Sequence, residues 1–352
     1  MRSLPLEAEH ERLGARFAEV AGWRLPLDYG DAAREQRAVR STAGIVDWSP
    51  HGKVRVSGPE ALPFLDNLLT NDLEPLRDGR GAYAALLEHH GHVVGDLAVY
   101  RVGDEFLLET DAEAAEPVLA SLQKLLVADD ATIADATSDY ALLGLFGPTS
   151  GEIVRKLAGT TPPGNPYDHG TARVADAGVR IARSPYFGGD GFEVWVPSGP
   201  GALAVWREIV RAGAIPFGHD AAESLRIETG RPKPRVDMDE HVLALEARLE
   251  PAISMTKGCY LGQEVVARIV HQGHVNRILV GLEVEGAQPP PPGAPVAIGG
   301  AAVGKVTSAA RSEALGKIVA LGYVQRAHAA PGTAVTVADR PARVAALPFV
   351  RG

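Results

Sequence analysis

The sequence predicts an α+β chain that ends in a small β-barrel. Up to about residue 275, strand-like runs come as neighbouring hairpins with helical runs between them. That order suits antiparallel sheets covered by helices, not a doubly wound parallel sheet. After about 275, short strands alternate with turns, the pattern of a small barrel. No repeat at solenoid periods competes with this reading.

Taken in order, residues 6–22 read as a helix, KVRVS (53–57) as a strand and PEALPFLDNLL (59–69) as a helix. AYAALLE and HVVGDLAVYRV pair around Gly91, and EFLLET (105–110) adds a third strand. The apolar spacing of 112–128 is helical. The alternation then repeats: a strand near 140–146, a helix at 148–158, a strand at 178–183, and GFEVWV after the tight FGGDG turn. Helices follow at 200–212 and 219–229, and an irregular stretch covers 230–256. QEVVARIV starts a short helix. NRILVGLEVEG, APVAIGG, AAVGKVTSAA, KIVALGYV and GTAVTVA supply the barrel strands. QPPPPG (288–293) cannot join a ladder and is a loop. The division predicted is 1–138, then 139–274 ending in KGCYLGQE, then the barrel domain 275–352.

At 352 residues and 45% hydrophobic content, the chain can bury a sizeable core. No apolar run approaches the roughly 20 residues of a membrane span. The opening MRSLPLEAEHERLGARF is too charged for a signal peptide, so the cytoplasm is the expected location. A net charge of −9 argues against direct nucleic-acid binding.

Four stretches bear on chemistry. GGAAVGKVT has a G-x4-G-K spacing, but Val306 stands where a phosphate loop needs Ser or Thr, so it reads as a glycine-rich hairpin. EHHGHVVGD gathers Glu88, His89, His90, His92 and Asp96; strand alternation splits them between faces, so a polar turn is expected and no metal. TGRPKPR brings Arg231, Lys233 and Arg235 together, either as a solvated loop or as a holder for an anionic ligand tail. The one cysteine, Cys259, can form no intramolecular disulfide. Free cysteine often only packs. Against that, Lys257 and a helix starting just beyond would both favour a thiolate, and Gly258 and Gly262 allow an open turn.

KGCYLGQE (257–264) resembles the K-G-C-[FY]-x-G-Q-E signature of the YgfZ-type folate-binding proteins, a branch of the group around the glycine cleavage T-protein. Its members are Lys257, Gly258, Cys259, Tyr260, Gly262, Gln263 and Glu264. The resemblance spans nearly the whole chain. AGWRLPLDYGDAAREQRAVRSTAGIVDWS resembles the T-protein opening, and LLTNDLEPLRDGRGAY, YFGGDGFEVWVP and ESLRIETG follow in family order. It implies a three-domain ring around a central folate pocket, with the barrel as third part. It also implies that Glu193 holds the pterin ring, that Tyr186 lies near the folate, and that Asp96 is catalytic, although its neighbour in the family's Asp pair is Gly95 here. Ala222 stands where T-proteins carry an Arg for the folate's glutamate end.

The ligand so implied is tetrahydrofolate or a derivative. The main expectation is a folate-binding accessory factor for iron–sulfur cluster assembly or maintenance, with iron–sulfur client or assembly proteins as partners and effects on tRNA modification through them. Cys259, helped by Lys257, is then a transient cluster ligand or a nucleophile. The alternative is an aminomethyltransferase that moves a one-carbon unit from a lipoyl-bound aminomethyl group to tetrahydrofolate; Asp96 favours it. A third possibility is a scaffold that kept the fold and lost the ligand, against which Tyr186 and Glu193 speak.

Overall fold

The computed structural model describes residues 1–350. Three β-structures organise the chain, two open sheets and a closed barrel. The first is a five-stranded antiparallel sheet in the order Gly81–Leu87, Val93–Val102, Glu105–Thr110, Gly52–Ser57, Thr132–Asp135. The second runs His169–Val174, Ala177–Arg183, Gly191–Pro197, Tyr140–Phe146, Gly44–Asp47 and Ile215–Pro216, only its last pair parallel. The barrel closes six strands between Arg277 and Ala345. This is the T-protein type of α+β architecture. No helix among the described residues is long and apolar enough to cross a membrane.

The N-terminus departs from the expected helix over 6–22. The helix is only Glu7–Arg12, and Arg16–Val20 pairs with Trp23–Asp28 as a hairpin. The cause is local. Gly14 takes φ +80°, and the Ala21–Gly22 turn takes φ +49° and +76°, so the chain reverses where helical spacing would carry it on. A helix not foreseen, Ala32–Ser41, follows, its first turn capped by Asp31 accepting from the Arg34 amide at 2.9 Å. The GGAAVGK segment forms the turn and arm of a barrel hairpin, with Gly299 and Gly300 both at positive φ.

Strand alternation sets what faces the middle of the molecule. In Val93–Val102, Leu97 and Val99 enter the core under the first sheet, while Ala98 and Tyr100 face the second. In Gly191–Pro197, Phe192, Val194 and Val196 enter their own sheet's core, while Trp195 faces the first. A shared aromatic cluster with Trp48, Phe146, Tyr186 and Phe187 fills the space between.

Two buried carboxylates tie the barrel on. Asp237 accepts from the Arg226 guanidinium at 2.6 Å, the Lys233 amide at 3.0 Å and the Ser308 hydroxyl at 2.7 Å. The carboxylate of Glu228, in helix His219–Thr229, accepts from Arg40 at 2.6 Å and Ser312 at 2.6 Å, and its backbone carbonyl accepts from the Phe349 amide at 2.8 Å.

Candidate functional site

The facing sheets place several polar side chains where apolar ones would ordinarily lie. From the first sheet come Tyr83, Asp96, Tyr100 and Glu109, and just past its third strand Asp111. From the second comes Glu193, with Tyr186 on the turn before it. Asp96, Tyr100, Glu109, Asp111 and Glu193 are all buried.

Asp96 has two unlike oxygens. Its Oδ2 accepts from the Tyr83 hydroxyl at 2.6 Å and from Arg231 at 2.7 Å, whereas the buried Oδ1 has no partner. Burial pushes this carboxyl up, and the Arg231 charge opposes that without cancelling it. Arg231 lies over two rings, 4.3 Å from the Tyr186 centroid and 5.1 Å from that of Tyr83. Burial works against its charge, but Tyr83, Asp96 and Tyr186 outweigh it and hold the guanidinium protonated. Its Nε is also unpartnered. Tyr167 stacks on Tyr83 at 6.0 Å and 7°.

Glu193 accepts from the Tyr100 hydroxyl at 3.0 Å, and burial followed by the charge of Glu109 pushes it up to about 7. Glu109 itself, buried near Asp111, is pushed up to about 8. Its carboxyl meets Nδ1 of His51, whose ring stacks on Trp48 at 4.7 Å. His51 Nε2 lies 3.7 Å from Asp111, which accepts from the Tyr186 hydroxyl at 2.8 Å. Beside this cluster, a cleft of about 50 Å³ is lined by Trp48, His51, Asp111, Tyr186, Ala222 and Lys233.

The structure thus connects Asp96, Tyr186 and Glu193 through groups that motif reading passed over: Tyr83, Tyr100, His51, Glu109 and Asp111. For Tyr83, Tyr100 and Glu109 the sequence signal is a polar residue on an otherwise apolar strand, a pattern that reads equally as a solvent-facing edge until the second sheet covers it, whereas His51 and Asp111 flank strands and carry no such signal. Of the 231–235 cations only Arg235 is exposed to solvent. Arg231 is held by Asp96, Lys233 sits between Glu113 at 2.8 Å and Glu223 at 3.2 Å, and Arg235 pairs with Glu240. The histidine-rich turn is held by Glu88, which accepts from the His90 and His92 amides.

The Lys257–Glu264 segment is built differently. Lys257 Nζ is enclosed by the carbonyls of Asp66, Leu69 and Asn71 at 2.6, 3.0 and 2.9 Å and by the Asp66 carboxylate at 3.0 Å. That corrects the expectation that Lys257 serves the thiol, because all its donors are taken by backbone and Asp66. Tyr260 packs into the apolar core next to the barrel. Gly262 takes φ +80° against the Glu88 carbonyl, so a Cβ there would collide at 2.8 Å. Gln263 donates to the Gly258 carbonyl at 3.1 Å and begins the helix Gln263–Gln272. Gly258, Cys259 and Glu264 are exposed.

The family model for the GCVT N-terminal domain matches residues 6–257, and that for the glycine cleavage T-protein C-terminal barrel domain matches 277–351. The chain belongs to the glycine cleavage T-protein family. An aminomethyltransferase of Streptomyces avermitilis is 36% identical over 364 residues, covering 99% of this chain and 98% of the relative. One of Rubrobacter xylanophilus is 36% identical over 355 residues, covering 100% and 95%. The crystal structure of the glycine cleavage system aminomethyltransferase T of Bartonella henselae superposes with a TM-score of 0.90 at 30% identity, covering 99% of this chain and 98% of that one. These T-protein relatives overturn the main functional expectation. Matched from end to end, they are aminomethyltransferases, and the iron–sulfur accessory role, with its client partners and tRNA effects, is withdrawn. The alternative drawn from the sequence is the better supported.

Proposed function

We propose that the chain is a tetrahydrofolate-dependent aminomethyltransferase of the glycine cleavage type. The observation that carries this is Asp96, clamped at Oδ2 by Tyr83 and Arg231 and unpartnered at Oδ1, in the buried layer between the two sheets to which Glu193 also belongs. In the reaction, the carbon of a lipoyl-bound aminomethyl group exchanges its bonds to sulfur and amine nitrogen for bonds to two folate nitrogens. The thiol and ammonia leave with the two protons those nitrogens give up, and no redox partner is needed. Asp96 Oδ1 is the group positioned to take a proton from the attacking folate nitrogen, and burial raises its basicity for that task. Tyr83 and Arg231 fix the carboxyl so that this oxygen alone is left for substrate. Glu193 and the Tyr100 hydroxyl are the polar pair suited to a pterin, a carboxylate accepting its amino and ring N–H donors. The rings of Tyr83, Tyr167 and Tyr186 exclude water from the reacting carbon.

The Lys257–Glu264 segment supports descent within the YgfZ-type branch of the family. In this reading the segment is architectural, and a lipoyl carrier protein and tetrahydrofolate are the partners. The test is to supply the purified protein with an aminomethyl-loaded lipoyl carrier and tetrahydrofolate, and to measure methylene-tetrahydrofolate and ammonia together. Stoichiometric release of both is expected. Tight folate binding with neither product would overturn the reading.

A further inference from the structure

One chain of contacts leads from the edge of the cluster to the reacting carboxyl. Glu109 meets His51 Nδ1, His51 Nε2 faces Asp111, and Asp111 accepts from Tyr186. The Tyr186 ring lies under Arg231, which holds Asp96. His51 is the one member that joins two carboxyls, and stacking on Trp48 fixes its ring plane at 15°. Around it stand Lys53 from the first sheet, Glu113 from the loop after Asp111, and Glu193 from the second sheet, with Asp47, the last residue of the second sheet's Gly44–Asp47 strand, lining the same cleft. Lys53 is spent on the carbonyls of Ser49 and His51 at 2.8 and 3.0 Å, and Asp47 on His10 and Ser49. That leaves Glu109 and Asp111 as its two partners.

We propose that His51 is a positioning residue for the transfer, bridging Glu109 to Asp111 and so holding Tyr186 and Arg231 in the arrangement that presents Asp96 Oδ1. This rests on the aminomethyltransferase reading. The polarity of the contacts fits it. Burial lowers the basicity of the His51 ring and raises that of Glu109, the carboxyls around the ring oppose the first shift, and the two groups share a hydrogen bond at Nδ1 while Nε2 lies 3.7 Å from Asp111. Asp111 resists burial because His51, Lys233, Arg231 and the Tyr186 hydroxyl all favour its charge. A negative Asp111 anchors Tyr186, and an anchored Tyr186 gives Arg231 one seat. Without the imidazole, Asp111 loses a neighbour that stabilises its charge, and the seat loosens.

The test separates this role from simple packing. His51→Leu should lower kcat at least tenfold while leaving the KM for tetrahydrofolate within twofold, and His51→Gln, whose amide can replace the Nε2 donor, should recover most of the loss. In an Asp96→Asn background His51→Leu should cost less than twofold, because the group it serves is gone. Equal losses in both backgrounds, or no recovery by Gln, would overturn the proposal. A second readout needs no turnover: 13C NMR titration of the Asp96 carboxyl, assigned by its absence in Asp96→Asn. His51→Leu should displace that titration and His51→Gln should restore it. An unchanged midpoint in both would overturn the positioning role even where the wild type proved inactive, a result that would count against the transferase reading separately.

Discussion

Arg231 and Lys257 are both cations on irregular segments, the first partly buried and the second with its side chain enclosed, yet the two regions are finished differently. Lys257 reaches three carbonyls and a carboxylate, all within 3.0 Å. Arg231 binds one oxygen of Asp96 and leaves its own Nε unpaired, as Asp96 leaves its Oδ1. Buried polar groups are expensive to leave unsatisfied, so a protein completes them where only architecture is at stake. Other buried atoms are also left unpaired, but here both members of one ion pair keep a free atom, and the proposed chemistry places the substrate there and makes the segment around Lys257 a brace.

The largest effect that would break this contrast concerns Asp96. Asp96→Asn keeps the shape and removes the base, and kcat should fall about 10²–10⁴-fold. Product formation by quenched-flow assay decides it; a mutant within threefold of wild type would remove Asp96 from the chemistry. Next comes Glu193. Glu193→Ala should weaken tetrahydrofolate binding by roughly 2–5 kcal/mol by calorimetry, as for a truncated buried charged partner. In the wild type, affinity should rise as pH passes upward through about 7, since Glu193 sheds its proton there and a pterin's N–H donors need the carboxylate. A flat profile from pH 6 to 8 would count against Glu193 as the anchor.

On the other side of the comparison, Lys257→Met should lower stability by about 1–3 kcal/mol through orphaned carbonyls. Turnover per folded molecule should stay the same, as read by denaturant titration beside an assay normalised to folded protein. A kinetic defect in fully folded mutant would turn the brace into part of the site. The smallest effect is predicted for Cys259. This thiol is exposed, and Cys259→Ser should change stability by less than about 0.5 kcal/mol and leave transfer intact. Loss of turnover there would return the motif to the chemistry.

The barrel and most helices were legible because their patterns are local: alternating short strands with turns, apolar spacing, a Pro-rich loop. The N-terminal hairpin was not, since Ala21 at φ +49° carries no sequence mark that separates it from a helical alanine. Asp96, Tyr186 and Glu193 were singled out through family resemblance, and the structure places all three between the facing sheets. His51, Glu109 and Asp111 were not, because their meaning depends on two sheets far apart in sequence closing over one another. Cys259 drew attention through rarity, and rarity says nothing about whether a neighbouring cation is already engaged.

Glu228 has a consequence for the order in which the molecule can be completed. It sits three residues before Arg231, separated only by a helix end at Gly230, which itself lies against Leu347. The Glu228 carboxylate accepts from Ser312 in the barrel, and its backbone carbonyl accepts from the amides of residues 349 and 350. During synthesis, the helix that delivers Arg231 to the pocket therefore waits for chain translated more than a hundred residues later. Until then it carries an unmatched acceptor and a half-made seat. A chain stopped within the barrel strands would have both sheets but lack the 349–350 amides that meet the Glu228 carbonyl.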